Sequence, residues 1–94
     1  MTKSECKSCV GKGWGKLIDK LFTILKPSQV YYFKEKYGRM SIFPINISDE
    51  LLDKVIEIEK ESEKTCEICG ERGKIREKKG WFTCLCNKCF NIKK

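Results

Sequence analysis

Apolar residues recur at positions 14, 17, 18, 21, 22 and 25, and most positions between them are polar. That period places Trp14, Leu17, Ile18, Leu21, Phe22 and Leu25 on one face of a helix, with Lys16, Lys20 and Lys26 on or near its wet side. Such a stripe reads as core rather than as a ligand site. Pro27 disfavours helical backbone at Lys26 and closes the element there. The pattern then changes. Val30-Tyr31-Tyr32-Phe33 is β-branched and aromatic, which favours strand. Tyr37-Gly38-Arg39 reads as a turn and Met40-Ser41-Ile42-Phe43 as the returning strand, with Pro44 at a strand end or edge. Ser48 is a good N-cap for a helix over about 48–64, whose first turn carries Asp49 and Glu50. Leu51, Leu52, Val55, Ile56 and Ile58 supply its apolar face. Further on, Lys74-Ile75-Arg76-Glu77 and Trp81-Phe82-Thr83-Cys84-Leu85 predict a second hairpin turning at Lys79-Gly80. Residues 1–13 read only as a polar, glycine-bearing stretch.

Cysteine spacing changes this picture most. The chain has seven cysteines and no histidine in 94 residues. Four of them form C-x2-C-x16-C-x2-C: Cys66, Cys69, Cys86 and Cys89. This is the spacing of a four-thiolate zinc site. Zinc takes four ligands in a tetrahedron, and two residues between thiols let one tight turn supply two of them. Gly70 can adopt the positive φ that closes such a turn. The competing readings are two disulfides or unligated core thiols. The second hairpin returns one cysteine pair against the other, as in a zinc ribbon; a helix starting near Phe90 makes it a short treble clef. Cys84 shares a strand face with Cys86 but falls outside the knuckle, and is read as a buried or free thiol. Cys6 and Cys9 are half a site, able to take a second zinc with Cys84, to meet another chain, or to bind nothing. Without histidine a second complete tetrahedron within one chain lacks ligands unless water or a carboxylate fills in. The fold class predicted is α+β: two helices packed on a short antiparallel hairpin, with a C-terminal zinc-ribbon or treble-clef-like lobe. Residues 1–64 form the small α+β unit and residues 65–94 the zinc-binding lobe, packed as one compact domain with a single structural Zn2+.

Charge is unevenly spread around a net +7. Residues 1–47 carry nine Lys or Arg against three Asp or Glu, residues 48–64 three against seven, and residues 65–94 eight against three. A basic front and a basic metal-binding end therefore flank an acidic helix. Such a surface favours acidic partners, nucleic acid or an acidic protein groove, unless the lysines serve solubility alone. Arg72, Lys74, Arg76, Lys78, Lys79 and Trp81 are the candidate partner- or nucleic-acid-binding residues. An enzyme is not expected. Histidine-based triads are excluded, and a four-thiolate zinc has no open position for water or substrate. Asp49/Asp53 and Glu57/Glu61 are carboxylate pairs that an exposed helix face explains. No secretory signal is visible at the start, no run approaches the roughly 18 apolar residues of a membrane span, and the odd cysteine count argues against a disulfide framework. A reducing, cytoplasmic setting follows.

Taken together, these pieces resemble a family of small, mostly uncharacterised phage and prophage zinc proteins. The resemblance is carried by Gly13-Trp14-Gly15-Lys16-Leu17-Ile18, by Phe33-Lys34-Glu35-Lys36-Tyr37-Gly38, and by Glu59 through Gly70 with its Cys66-Glu67-Ile68-Cys69-Gly70 step. Gly80-Trp81-Phe82-Thr83-Cys84-Leu85-Cys86 completes it. The family commonly has threonine where this chain has Cys84, and acidic residues where the second knuckle here reads Asn87-Lys88, which makes this end more basic. The resemblance implies a phage origin, the cytoplasm of an infected or lysogenic bacterial host, and action by binding a host machine. Inhibitors of Cas9-type defence nucleases, the type II anti-CRISPRs, are one group of such proteins. The expectation is thus a non-enzymatic, zinc-stabilised inhibitor that blocks nucleic-acid loading or nuclease activation. Tyr31, Tyr37, Trp81 and Phe82 would be its anchors and the basic hairpin would supply steering charge. The alternative is a nucleic-acid-binding zinc ribbon using hairpin 72–81.

Overall fold

A computed structural model describes residues 1–92 of the chain. Lys93 and Lys94, the last residues of the lobe and of the terminal helix read from sequence, lie outside the described residues. The polar opening is helical: α1 spans Lys3–Ser8. Thr2 Oγ1 accepts from the Glu5 N–H at 3.2 Å, and Glu5 Oε1 accepts from the Thr2 N–H at 2.9 Å. This reciprocal capping box holds a helix too short to stand on propensity alone. Cys6 is its buried residue.

A 3-10 turn at Lys12–Trp14 leads into α2, Gly15–Ile24, which buries Leu17, Ile18 and Leu21 beside Trp14. Phe22 is only partly buried. Helical backbone stops at Leu25, and Pro27 opens a second 3-10 turn, Pro27–Gln29. Strands β1 (Val30–Lys36) and β2 (Arg39–Pro44) pair antiparallel, with Phe33 opposite Ile42. Tyr37 (φ 56°) and Gly38 (φ 85°) form their two-residue turn, both in the left-handed region as a type I′ hairpin requires. The Gly38 N–H donates to Glu35 Oε2 at 2.7 Å.

Helix α3, Asp49–Ser62, is capped by Ser48, whose Oγ accepts from the Leu51 N–H. Its inward residues are Val55, Ile58 and Ser62, with Leu51 partly covered. Leu52 and Ile56, read from sequence as part of the apolar face, are instead exposed at 38% and 36%. One hairpin and one helix cover only a single seam, and positions 52 and 56 sit about one residue's 100° rotation away from it. The helix also closes the outer edge of β2. The Met40 N–H donates to Ser62 Oγ at 2.9 Å and the Ile42 N–H to Glu59 Oε2 at 2.8 Å. Side chains of α3 thus satisfy backbone groups that an open edge would offer to other chains.

Strands β3 (Lys74–Lys78) and β4 (Trp81–Leu85) form a second hairpin, turning at Lys79 (φ 54°) and Gly80 (φ 81°). Helix α4 spans Asn87–Ile92, starting inside the second cysteine pair rather than near Phe90. The described residues therefore form an α+β fold with four helices and two separate two-stranded sheets. Cys84 of β4 belongs to the main core with Trp14, Ile18, Leu21, Phe33, Met40 and Ile58. A second, small core joins Leu85 to Cys66, Cys86 and Cys89, with Phe90 against it.

Candidate metal centre and binding surface

Two local structures deliver the four thiols. After α3 the chain turns so that the Gly70 N–H donates to Cys66 O at 2.9 Å, and Gly70 takes φ +83°. Cys66 and Cys69 are presented from this turn. Cys86 directly follows β4 and Cys89 lies in the first turn of α4, where its N–H points at Cys86 Sγ, 3.4 Å away. All four sulfurs lie within 4.8 Å of one another, and Cys69 Sγ is 3.6 Å from Cys86 Sγ. Four sulfurs bonded at about 2.3 Å to a central tetrahedral ion would be about 3.8 Å apart, so the donor set has the size and chemistry to hold a metal ion. All seven cysteines are free of disulfides. The thiols differ in acidity. Burial pushes Cys66 up, but N–H groups of Cys69, Cys86 and Ile68 outweigh it and bring the thiol down to about 6. Burial, with the neighbouring sulfurs, holds Cys89 up at about 12.

The cluster is not an appendage. Its first knuckle is seated on the glycine-rich turn before α2. The Gly13 N–H donates to Glu67 O at 2.7 Å, the Gly11 N–H to Glu67 Oε2 at 3.1 Å, and Trp14 Nε1 to Thr65 O at 2.8 Å. A Cβ on Gly13 would stand 2.1 Å from Cys66 O and 2.5 Å from Gly70 N. Only glycine permits this approach of backbone to backbone. Sequence reading missed the contact, although Gly11-Lys12-Gly13-Trp14 was its one visible trace.

The other three cysteines go elsewhere. Cys6 and Cys84 are completely buried, and burial pushes each thiol up to about 11. Cys84 Sγ donates to Glu63 O at 3.2 Å. Cys9 is exposed. Among the described residues the Cys66, Cys69, Cys86 and Cys89 group is the one gathering of three or more metal-ligating side chains, and it does not include Cys6 or Cys9.

The candidate binding residues separate into two sets. Strand pairing sets Arg76 against Thr83 and Lys78 against Trp81, on the sheet face opposite Cys84. Arg76, Lys78, Lys79 and Trp81 line one cavity of about 260 Å3, floored by Thr83, Leu85 and Phe90. Trp81 is 72% exposed. The Arg76 guanidinium lies 4.6 Å from the Phe90 ring centre while Nε donates to Leu85 O and an NH2 group to Asn87 Oδ1. Arg72 and Lys74 are exposed but do not line the cavity; the Arg72 backbone pairs with that of Thr65 in an isolated antiparallel bridge. A second cavity of about 250 Å3 is lined by Trp81 together with Glu35, Lys36, Tyr37, Gly80 and Phe82. The Tyr37 and Phe82 rings meet edge to face at 6.0 Å, and Lys36 Nζ is 5.7 Å from the Tyr37 ring centre. The two hairpin tips thus form one aromatic and cationic surface. Lys36 and Phe90 were not foreseen in it, because only the tertiary fold brings them there. Tyr31 is exposed on β1 and lines neither cavity.

No helix among the described residues is long and apolar enough to cross a membrane. Comparison with protein-family models, with curated proteins and with solved structures found no match.

Proposed function

We propose that this chain is a non-catalytic binding protein, stabilised by one structural zinc ion on Cys66, Cys69, Cys86 and Cys89, that inhibits a host defence nuclease of the Cas9 type. Four thiolates complete a tetrahedron and leave no position for water or substrate, which suits a structural ion. Paired C-x2-C knuckles with an all-sulfur donor set favour zinc in a reducing cytoplasm. In this reading the hairpin tips dock on the nuclease and obstruct nucleic-acid loading or the closure that activates it. The observation that carries it is the arrangement around Trp81, an exposed indole on the second hairpin with Arg76, Lys78 and Lys79 about one cavity. Trp, Tyr and Arg are the side chains that dominate protein interfaces. The test is cleavage of a guide-matched DNA by purified Cas9 across a titration of the zinc-loaded protein. Cleavage is expected to fail near stoichiometry and to return with Trp81→Ala. Full cleavage at tenfold excess, with no complex on gel filtration, would overturn the proposal.

A second reading is favoured by one specific feature. Trp81 has cations on both sides, Lys36 towards one cavity and Lys78 and Lys79 towards the other. Stacking with flanking phosphate contacts is how single strands are held. Binding of generic DNA or RNA that falls steeply with salt would favour this reading, and no binding at physiological salt would remove it.

A further inference from the structure

We infer that the partner element received by the hairpin tips is an acidic polypeptide segment carrying one large apolar side chain, which enters the cavity between Trp81 and Phe90 while its carboxylates lie on Lys78 and Lys79. This rests on the protein-binding reading above. The cavity, at about 260 Å3, is smaller than the roughly 300–1,000 Å3 of small-molecule sites and suits a single inserted side chain. Its more buried lining is Leu85, Phe90 and Thr83, and its exposed lining includes Lys78 and Lys79. A neutral or basic insert would leave those lysines unmatched, whereas an acidic one is complementary in charge.

Three observations favour a polypeptide over a nucleic-acid strand. Arg76 is already committed, its guanidinium to the Phe90 ring and its N–H groups to Leu85 O and Asn87 Oδ1, so it shapes the pocket wall more than it offers a phosphate clamp. The five-residue strands span about 17 Å, too little for an extended phosphate track. A strand continuing past Trp81 would meet Glu35 beside Lys36 in the second cavity, a carboxylate that offsets the one cation there. An acidic side chain confined to the Lys78 and Lys79 side avoids it.

Trp81 supplies its own reporter, because Trp14 is fully buried with its indole N–H bonded and stays silent to surface binding. The experiment titrates the full zinc-loaded chain with a twelve-residue peptide of Asp and Glu around one central Phe, following Trp81 fluorescence. Comparison probes are the same peptide with Phe replaced by Ala, a Lys-for-acid version, and a twelve-nucleotide oligo(dT). The acidic Phe peptide is expected to bind best, with affinity about tenfold weaker for the Ala version. Lys78→Glu combined with Lys79→Asn should cost at least about tenfold, whereas Lys16→Glu with Lys26→Asn, the same charge change on other exposed residues, should cost less than about threefold. Equal binding of the Lys-containing peptide, indifference to the Lys78/Lys79 changes, or oligo(dT) binding as tightly as the acidic peptide would each overturn the inference, the last in favour of nucleic acid. Peptide binding without Cas9 inhibition would leave this chemistry standing and remove the named target. Cas9 inhibition with no peptide response would do the reverse.

Discussion

Gly13→Ala places a methyl group where the metal knuckle passes. The new Cβ would lie 2.1 Å from Cys66 O, 2.5 Å from Gly70 N and 2.7 Å from the Glu67 carbonyl carbon, all backbone atoms with no rotamer to yield. Relief means drawing the knuckle off the turn until the nearest of these exceeds 3.0 Å, which opens the 2.7 Å Gly13–Glu67 bond. The 2.8 Å bond from Trp14 Nε1 to Thr65 O sits in the same seam and opens with it, leaving a buried indole N–H unpaired. One lost hydrogen bond at about 1 kcal/mol and one orphaned buried donor at about 1–3 kcal/mol give an expected loss of about 2–4 kcal/mol. Urea unfolding of the zinc-loaded protein measures it, and competition with a chelator should show zinc held at least about tenfold more weakly, since folding and metal binding are linked. Gly15→Ala is the matched control. Nothing lies within 4 Å of its added Cβ and its backbone is already helical, so it should be neutral or stabilising by up to about 1 kcal/mol. Wild-type stability for Gly13→Ala, or equal damage from Gly15→Ala, would refute the claim that the knuckle is seated on this turn.

Cys66→Ser and Cys89→Ser should each abolish stoichiometric zinc and unfold the C-terminal hairpin, read by metal content and hydrogen exchange, while Cys84→Ser should keep zinc and lose about 1 kcal/mol, since serine can still donate to Glu63 O. Ser62→Ala should cost about 1–3 kcal/mol in denaturant unfolding, because it strands the buried Met40 N–H at the edge of β2. Burial keeps Cys6 protonated in the fold up to about 11, against 9.0 for an ordinary thiol, so the unfolded chain binds fewer protons between those values. Its contribution is fully present below pH 9 and is lost as pH rises through 11, so stability should fall over that window. Cys6→Ala should flatten the decline.

Where a residue's role followed from local pattern, the chain was readable. The stripe from Trp14 to Leu25, the Lys79-Gly80 turn and the Ser48 cap depend on near neighbours, and so does the first turn, read as Tyr37-Gly38-Arg39 although Arg39 already belongs to β2. The four thiols were also legible, since their spacing is set by the turn that presents them. The short α1 was not, because it buries only Cys6 and shows no period; its signal was the Thr2-Lys3-Ser4-Glu5 capping box. Leu52 and Ile56 were misplaced because apolar spacing marks a stripe but not how wide a seam the rest of the chain covers. The seating of the knuckle on Gly13 and the meeting of Tyr37 with Phe82 join residues more than forty positions apart, and no local period records such contacts.

X-ray absorption at the zinc edge of purified, tag-free protein tests the central claim most directly. One zinc per chain is expected, with four sulfur ligands at about 2.3 Å and no oxygen or nitrogen in the shell. Substoichiometric zinc, or a shell containing a light atom in place of sulfur, would contradict the assignment of Cys66, Cys69, Cys86 and Cys89 as a closed structural site.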